Sequence, residues 1–258
     1  MLVLVPSREL AIQIENVAKT IIQNTVGVRT ALLIGGESRE QQLYRLRQNV
    51  NLLIATPGRL NDLLQSTNET PEYRMLLKHV RTVVLDEADQ LLKSDFQEQV
   101  LGLLPYCHSS VQKVVVSATV TANLRAQIAS MMVQPIEVMV DDIEQLNSSL
   151  EYAIVWSEDN QKKKKLTKLL KEGAHAFPLL IVCQTRLEVV EVMKLLDESF
   201  TTFSHASITV ETPFQERRTI LDSFVKKEVD LLVATSGIVG RGIELHTTQS
   251  VGVKGGNK

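Results

Sequence analysis

Short runs of Val, Ile and Leu without polar alternation recur along the chain, each followed by a longer amphipathic stretch. A strand with only one face buried alternates apolar and polar residues, whereas a strand covered on both faces does not. Residues 2–5, 30–34, 51–55, 82–85, 113–117 and 136–139 therefore read as one set of buried strands. A second set reads at 152–156, 179–183, 204–208, 230–234 and 250–253. Helices are expected between them at 8–23, 39–47, 59–65, 188–198 and 213–227. Strand–helix alternation of this kind predicts an α/β fold built from right-handed crossover units around parallel sheets.

Periodicity pauses in the polar stretch Asp141–Leu150, which places a linker at 143–150 between domains at 1–142 and 151–258. A length of 258 residues, 44% of them apolar, supplies enough material for two cores. Lys and Arg number 28 against 30 Asp and Glu, so the net charge is −2. Nucleic-acid contact would then have to come from a local groove and not from a global positive field. Cys107 and Cys183 are too few for a disulfide scaffold. The apolar opening stops at Pro6, too short for a signal or a membrane span. A soluble protein is expected, with no membrane partner.

The acidic cluster Asp86-Glu87-Ala88-Asp89 follows the strand at 82–85 directly. In open parallel sheets ligands gather at the carboxyl ends of the strands. A carboxylate there can hold Mg²⁺ through its water shell, and a neighbouring one can orient a water that attacks a γ-phosphate. An acidic helix N-terminus stabilised by the macrodipole accounts for the same residues, and on composition alone that account prevails. Gly35-Gly36 alone reads as a turn, Thr56-Pro57-Gly58 as a strand-to-helix connection, and Ser117 and Thr119 as a strand end with a cap. The five His residues lack metal-ligand spacing, and Lys162–Lys165 reads as the solvated face of a helix.

Order and spacing change the balance. Pro6-Ser7-Arg8-Glu9-Leu10-Ala11, Gly35-Gly36, Thr56-Pro57-Gly58-Arg59, Asp86-Glu87-Ala88-Asp89 and Ser117-Ala118-Thr119 each follow a strand. In the second half, Leu180–Thr185, and Ala234-Thr235-Ser236-Gly237 with Gly240-Arg241-Gly242-Ile243-Glu244, stand at strand ends. On these segments the chain resembles the DEAD-box RNA helicases, with motifs Ia, GG, Ib, II, III, IV and V in sequence. It is most similar to the branch whose members carry an N-terminal HIT-type zinc finger, through residues 156–165 and 236–240.

The resemblance implies two tandem RecA-like parallel-sheet domains and ATP-dependent RNA unwinding, with ATP and Mg²⁺ as cofactors. Asp86 would hold Mg²⁺ through water, Glu87 would activate the hydrolytic water, and Asp89 would couple to Ser117 and Thr119. Glu244 stands where the family contacts the nucleotide ribose. Ser7, Arg8, Gly35, Gly36, Thr56, Gly58, Arg59, Gln184, Thr185 and Thr235 would follow the RNA sugar-phosphate backbone. A monomer is implied, in the nucleus or cytoplasm, with protein cofactors as further partners.

The sequence also departs from the family. No G-x-x-x-x-G-K-[ST] phosphate loop occurs in these 258 residues, nor an Arg-rich motif VI after motif V. Both domains are therefore expected to be truncated, with ATP hydrolysis impaired. Ser7 replaces a Thr, Ser236 replaces an Asp, and Thr209 and Phe214 stand where the family often has His and Gln. Two other functions stay open on the sequence. One is a non-enzymatic RNA- or protein-binding product that competes with an intact helicase. The other is a DNA-directed translocase on the same fold.

Overall fold

A computed structural model describes residues 1–65, 76–140, 153–172, 177–239 and 249–252. The chain divides into two compact units, Met1–Asn147 and Ser148–Lys258. The expected linker at 143–150 lies outside the described residues.

In the first unit the elements run β1 (Leu2–Leu4), α1 (Arg8–Ile22), β2 (Thr30–Leu33), α2 (Arg39–Leu46), β3 (Leu52–Ala55), α3 (Pro57–Gln65) and β4 (Thr82–Leu85). They continue through α4 (Ala88–Leu91), α5 (Ser94–Leu103), β5 (Gln112–Val115) and α6 (Ala122–Met131). The five strands form a parallel sheet in the order β2-β3-β1-β4-β5. Leu2, Leu4, Leu33, Ile54, Val83 and Leu85 are essentially inaccessible, which is why these runs needed no polar alternation. Burying each such side chain contributes about 1.5–3 kcal/mol.

The second unit contains α7 (Lys162–Glu172), β6 (Leu179–Cys183), α8 (Arg186–Ser199), β7 (His205–Ile208), α9 (Phe214–Val225), β8 (Leu231–Thr235), α10 (Ser236–Val239) and β9 (Gln249–Gly252). Its parallel sheet has the order β7-β8-β6-β9. Leu179, Ile181, Leu196, Leu231 and Val233 form its core on one face, while Ile208, Phe224, Leu232 and Ala234 form it on the other.

Two expected strands do not form. Residues 136–139 are irregular, with Ile136 91% and Val138 80% exposed. Residues 153–156 are irregular as well, with Trp156 85% exposed, while Tyr152 lies outside the described residues. A strand exists through its ladder partner, and β-propensity without one does not hold an extended segment in place. Helices α5 and α6 went unread because each buries little: Val100 and Leu103 in one, Leu124 in the other.

Away from both strand-end edges, His205 Nε2 lies 2.9 Å from Asp197 Oδ1 and its Nδ1 lies 2.9 Å from the Phe203 carbonyl. The Asp197 hydrogen bond raises the imidazole pKa above its usual value, against a smaller opposing effect of burial. A raised pKa stabilises the folded state fully below the unfolded imidazole value of about 6.5, and that stabilisation drains away as pH rises through the folded value. The second unit should accordingly lose stability as pH rises above about 6.5. Urea unfolding of wild type and Asp197→Asn as pH is raised through that value checks this: the variant should show a flatter profile. Parallel profiles would remove His205 as the cause.

Candidate functional site

Parallel strands end on one edge, and the strand order decides which following loops become neighbours. In the first unit that edge carries, side by side, the loops after β2, β3, β1, β4 and β5. Gly35-Gly36, Thr56–Arg59, Ser7-Arg8, Asp86–Asp89 and Ser117–Thr119 therefore form one continuous row. Residues scattered over more than a hundred positions of sequence are brought together.

The acidic end of the row is strained. Glu87 has φ 53° and ψ 49°, a left-handed conformation in a residue other than Gly. Such a backbone costs about 1 kcal/mol and persists only where its surroundings impose it. Here the Asp86 N–H donates to the Leu4 carbonyl at 3.0 Å, the Glu87 N–H donates to Asp86 Oδ1 at 2.9 Å, and the Ala88 N–H donates to the Val116 carbonyl at 3.0 Å. β1 and the segment after β5 thus clamp the turn on both sides. Glu87 Oε2 is buried and has no hydrogen-bond partner among the described residues. Replacing Glu87 with Gly should raise the stability of the first unit by about 1 kcal/mol, since it relieves both the strain and the orphaned oxygen. The urea midpoint reads this directly; a midpoint at or below that of wild type would mean that the turn stores no strain.

Asp89 meets Ser117 as expected: the Ser117 hydroxyl lies 3.3 Å from Asp89 Oδ1 and 2.8 Å from the Thr119 carbonyl. Thr119 joins through its backbone, its N–H donating to Ser117 Oγ at 3.3 Å. The Ser117 hydroxyl therefore ties the acidic loop to the Ser-Ala-Thr loop.

At the other end of the row, Ser7 caps α1, its Oγ accepting the Leu10 N–H at 3.2 Å. The two glycines have different reasons. Gly36 has φ 85°, which L side chains rarely adopt. A Cβ on Gly35 would stand 3.0 Å from Arg8 Nη2, so that position keeps the Arg8 guanidinium against the backbone of the turn. Gly58 serves helix packing, for a Cβ there would meet Gln99 Oε1 of α5 at 3.3 Å. Thr56 receives β2 through its backbone, its N–H donating to the Leu33 carbonyl at 3.0 Å. Arg59 turns inward, Nε donating to Gln42 Oε1 at 3.0 Å and Nη2 to the Glu37 carbonyl at 2.9 Å. Gln42, which sequence reasoning missed, is fully buried. Its only sequence signal was a polar residue among the apolar positions of an amphipathic helix.

In the second unit, Gln184 and Thr185 follow β6, and Thr235 is the last residue of the adjacent strand β8. Thr185 completes a capping box: Glu188 Oε2 accepts the N–H groups of Gln184 and Thr185 at 2.8 and 3.0 Å, and the Glu188 N–H donates to Thr185 Oγ1 at 3.2 Å. That carboxylate caps the first turn of the helix. Thr235 is buried at the end of β8. Gly240–Glu244, with the expected ribose contact Glu244, lie outside the described residues. Two lysines of the Lys162–Lys165 run form ion pairs, Lys162 with Asp159 at 2.7 Å and Lys163 with Glu191 at 3.2 Å, and Lys165 donates to the Trp156 carbonyl. No cluster of three or more His, Cys, Asp or Glu able to hold a metal occurs among the described residues, and none of their helices is long and apolar enough to cross a membrane.

Comparison with known proteins finds that a DEAD/DEAH box helicase model matches residues 1–127 and a helicase conserved C-terminal domain model matches residues 161–252. The chain is 35% identical over 250 residues to the probable ATP-dependent RNA helicase DDX59 of Mus musculus, covering 97% of this chain and 39% of that protein. It is 32% identical to DEAD-box ATP-dependent RNA helicase 41 of Arabidopsis thaliana, covering 97% of this chain and 48% of that protein. The chain thus spans less than half the length of either relative. Among solved structures, the DEAD-box helicase Mss116 bound to single-stranded RNA and UDP-BeF matches 98% of this chain and 54% of its own, with TM-score 0.80 and 23% identity. Dbp5 of S. cerevisiae bound to RNA and ADP BeF3 matches 96% of this chain and 60% of its own, with TM-score 0.80 and 22% identity. At that identity the likeness concerns the fold: two RecA-like parallel-sheet domains.

Proposed function

The chain belongs to the DEAD/DEAH box helicase family, and from that premise we propose that its first unit binds the sugar-phosphate backbone of single-stranded RNA. The same row of loops would carry the water-activating residues of an ATP-dependent RNA helicase. One observation carries the reading: the loops of Ser7-Arg8, Gly35-Gly36 and Thr56–Arg59 adjoin Asp86-Glu87 on a single sheet edge. Strand-end loops with small residues offer backbone N–H groups to phosphates, and Arg8 adds a charged fork. Contact of this kind holds RNA without reading its bases.

Asp86 and Glu87 present a hard, oxygen-only donor set, which fits Mg²⁺ held through its water shell. When bound, the Mg²⁺–nucleotide supplies the scissile γ-phosphate bond. Asp86 would orient the ion's waters, and the buried Oε2 of Glu87 would take the proton of the attacking water. Asp89, through Ser117, would link that loop to the Ser-Ala-Thr segment. Within the second unit, Gln184, Thr185 and Thr235 would contact RNA and Glu244 would contact the nucleotide. Domain limits at 1–142 and 151–258, a monomeric state, and a nuclear or cytoplasmic setting belong to the same proposal. Placement nearest the zinc-finger branch rests on residues 156–165 and 236–240.

A second function, non-enzymatic RNA binding in competition with an intact helicase, is favoured for these 258 residues taken alone, because they contain no phosphate loop. Fluorescence anisotropy with single-stranded RNA and with DNA of equal length tests the shared premise. Binding to RNA at low salt is expected. Failure to bind, or a preference for DNA, would remove it.

A further inference from the structure

The RNA track needs its loops held at a fixed spacing, and one buried amide does this. Gln42 and Thr235 are the polar side chains buried among the described residues. Gln42 Nε2 donates to the Ile34 carbonyl at 2.7 Å, at the entrance to the Gly35-Gly36 turn. Its Oε1 accepts the Arg59 Nε–H at 3.0 Å, at the start of α3. Arg59 Nη2 then returns to the Glu37 carbonyl at 2.9 Å, at the exit of the same turn. Glu37 is itself held, its carboxylate accepting Arg45 Nη1 at 2.8 Å.

We infer that Gln42 is a positioning residue that locks the loop after β2 to the loop after β3, and that Arg59 serves RNA binding through this clamp and not through its charge. The inference rests on the RNA-backbone function proposed above. A primary amide can donate to one carbonyl and accept from a guanidinium with a side chain of this length; an ionised carboxylate lacks the donor, and a thioether lacks the donor and accepts only weakly. Arg59 uses the angle between two nitrogens of its planar fork, which a Lys ammonium cannot reproduce. Turn entrance, turn exit and helix start are thereby fixed by one pair of side chains, and the Arg8–Gly35 contact lies beside them.

The test measures affinity of the full chain for single-stranded RNA at low salt, at a temperature where circular dichroism shows each variant folded. Gln42→Met should bind about tenfold more weakly than wild type, a loss of about 1.4 kcal/mol. Arg59→Lys should lose as much as Arg59→Met, and the Gln42→Met/Arg59→Met double variant no more than either alone. Gln42→Glu keeps the acceptor for Arg59 and should lie between Gln42→Met and wild type. Should Gln42→Met fail to fold, the comparison of Arg59→Lys with Arg59→Met decides. Wild-type affinity in Gln42→Met, or in Arg59→Lys, overturns the inference while leaving the RNA function intact. Absence of RNA binding by the wild-type chain overturns both.

Discussion

The 258-residue chain, purified by itself, should hydrolyse ATP no faster than its Glu87→Gln variant, whether or not single-stranded RNA is added. Phosphoryl transfer asks little covalent chemistry of a protein and a great deal of positioning and charge. The acidic loop supplies part of it: an oxygen donor in Asp86, and in Glu87 a carboxylate held in a strained backbone with its Oε2 buried. Most of the rate acceleration comes from other groups. A phosphate loop cradles the β- and γ-phosphates with backbone N–H groups and a Lys, and no Gly-Lys followed by Ser or Thr occurs in these residues. An arginine finger contributes about 10³–10⁵ in rate in related enzymes. With neither supplied, Glu87 has no anchored phosphate to act upon, and its removal should change nothing measurable. A coupled assay on wild type and Glu87→Gln side by side reads the difference. Turnover in the wild type alone would show that nucleotide is held by other groups of these two units, and that a phosphate loop is dispensable here.

RNA binding should respond far more to salt than to base sequence. Loops that meet the phosphate backbone displace condensed counterions, and for single strands log K falls with log salt at a slope of about −0.7 per phosphate neutralised. Three loops contacting about three phosphates would give a slope of about −2, so affinity should fall about 20-fold between roughly 50 and 200 mM salt. Homopolymers of uridine and adenosine should differ by much less, since backbone contacts carry no sequence information. The net charge of −2 works in the same direction: no global positive field exists to hold RNA once the local contacts are screened. Anisotropy titrations over a series of salt concentrations measure the slope. A slope near zero would mean that stacking or groove contacts dominate, and the row of strand-end loops would no longer be the binding surface.

The strands of both sheets were legible because each had to be apolar throughout. Residues 82–85 form β4 and residues 179–183 form β6 at the positions expected from composition alone. The same rule failed at 136–139 and 153–156, where Ile136, Val138 and Ile154 are as apolar as any strand yet lie exposed. Apolar character states that a segment can be a strand; a neighbour with free backbone groups decides whether it is one. The helix-face account of Lys162–Lys165 fits the structure for a local reason, since its acidic partner Asp159 lies one turn away in sequence.

At the site the division is sharper. Asp86, Glu87, Asp89 and Ser117 were singled out by the order of motifs and the family resemblance, since taken alone they read as a helix start and a strand-end cap; in the structure the Ser117 hydroxyl reaches Asp89. Thr185 was expected only as an RNA contact, and the structure shows it to be the N-cap of α8. Gln42 gave almost no signal, and the inward turn of Arg59 gave none, because the partners lie 17 and 22 residues apart in sequence.

By itself the sequence determined the α/β class, the positions of most strands and the order of the motifs along the chain, all of which depend on apolar burial and on residue order. Only the tertiary structure decided that the loops after β2, β3, β1, β4 and β5 stand in that order, that Gly35 lies against the Arg8 guanidinium, and that Arg59 closes on Gln42. Burial is a property that each segment carries with it, whereas a hydrogen bond needs a particular partner at about 3 Å, and crossover connections between strands choose that partner.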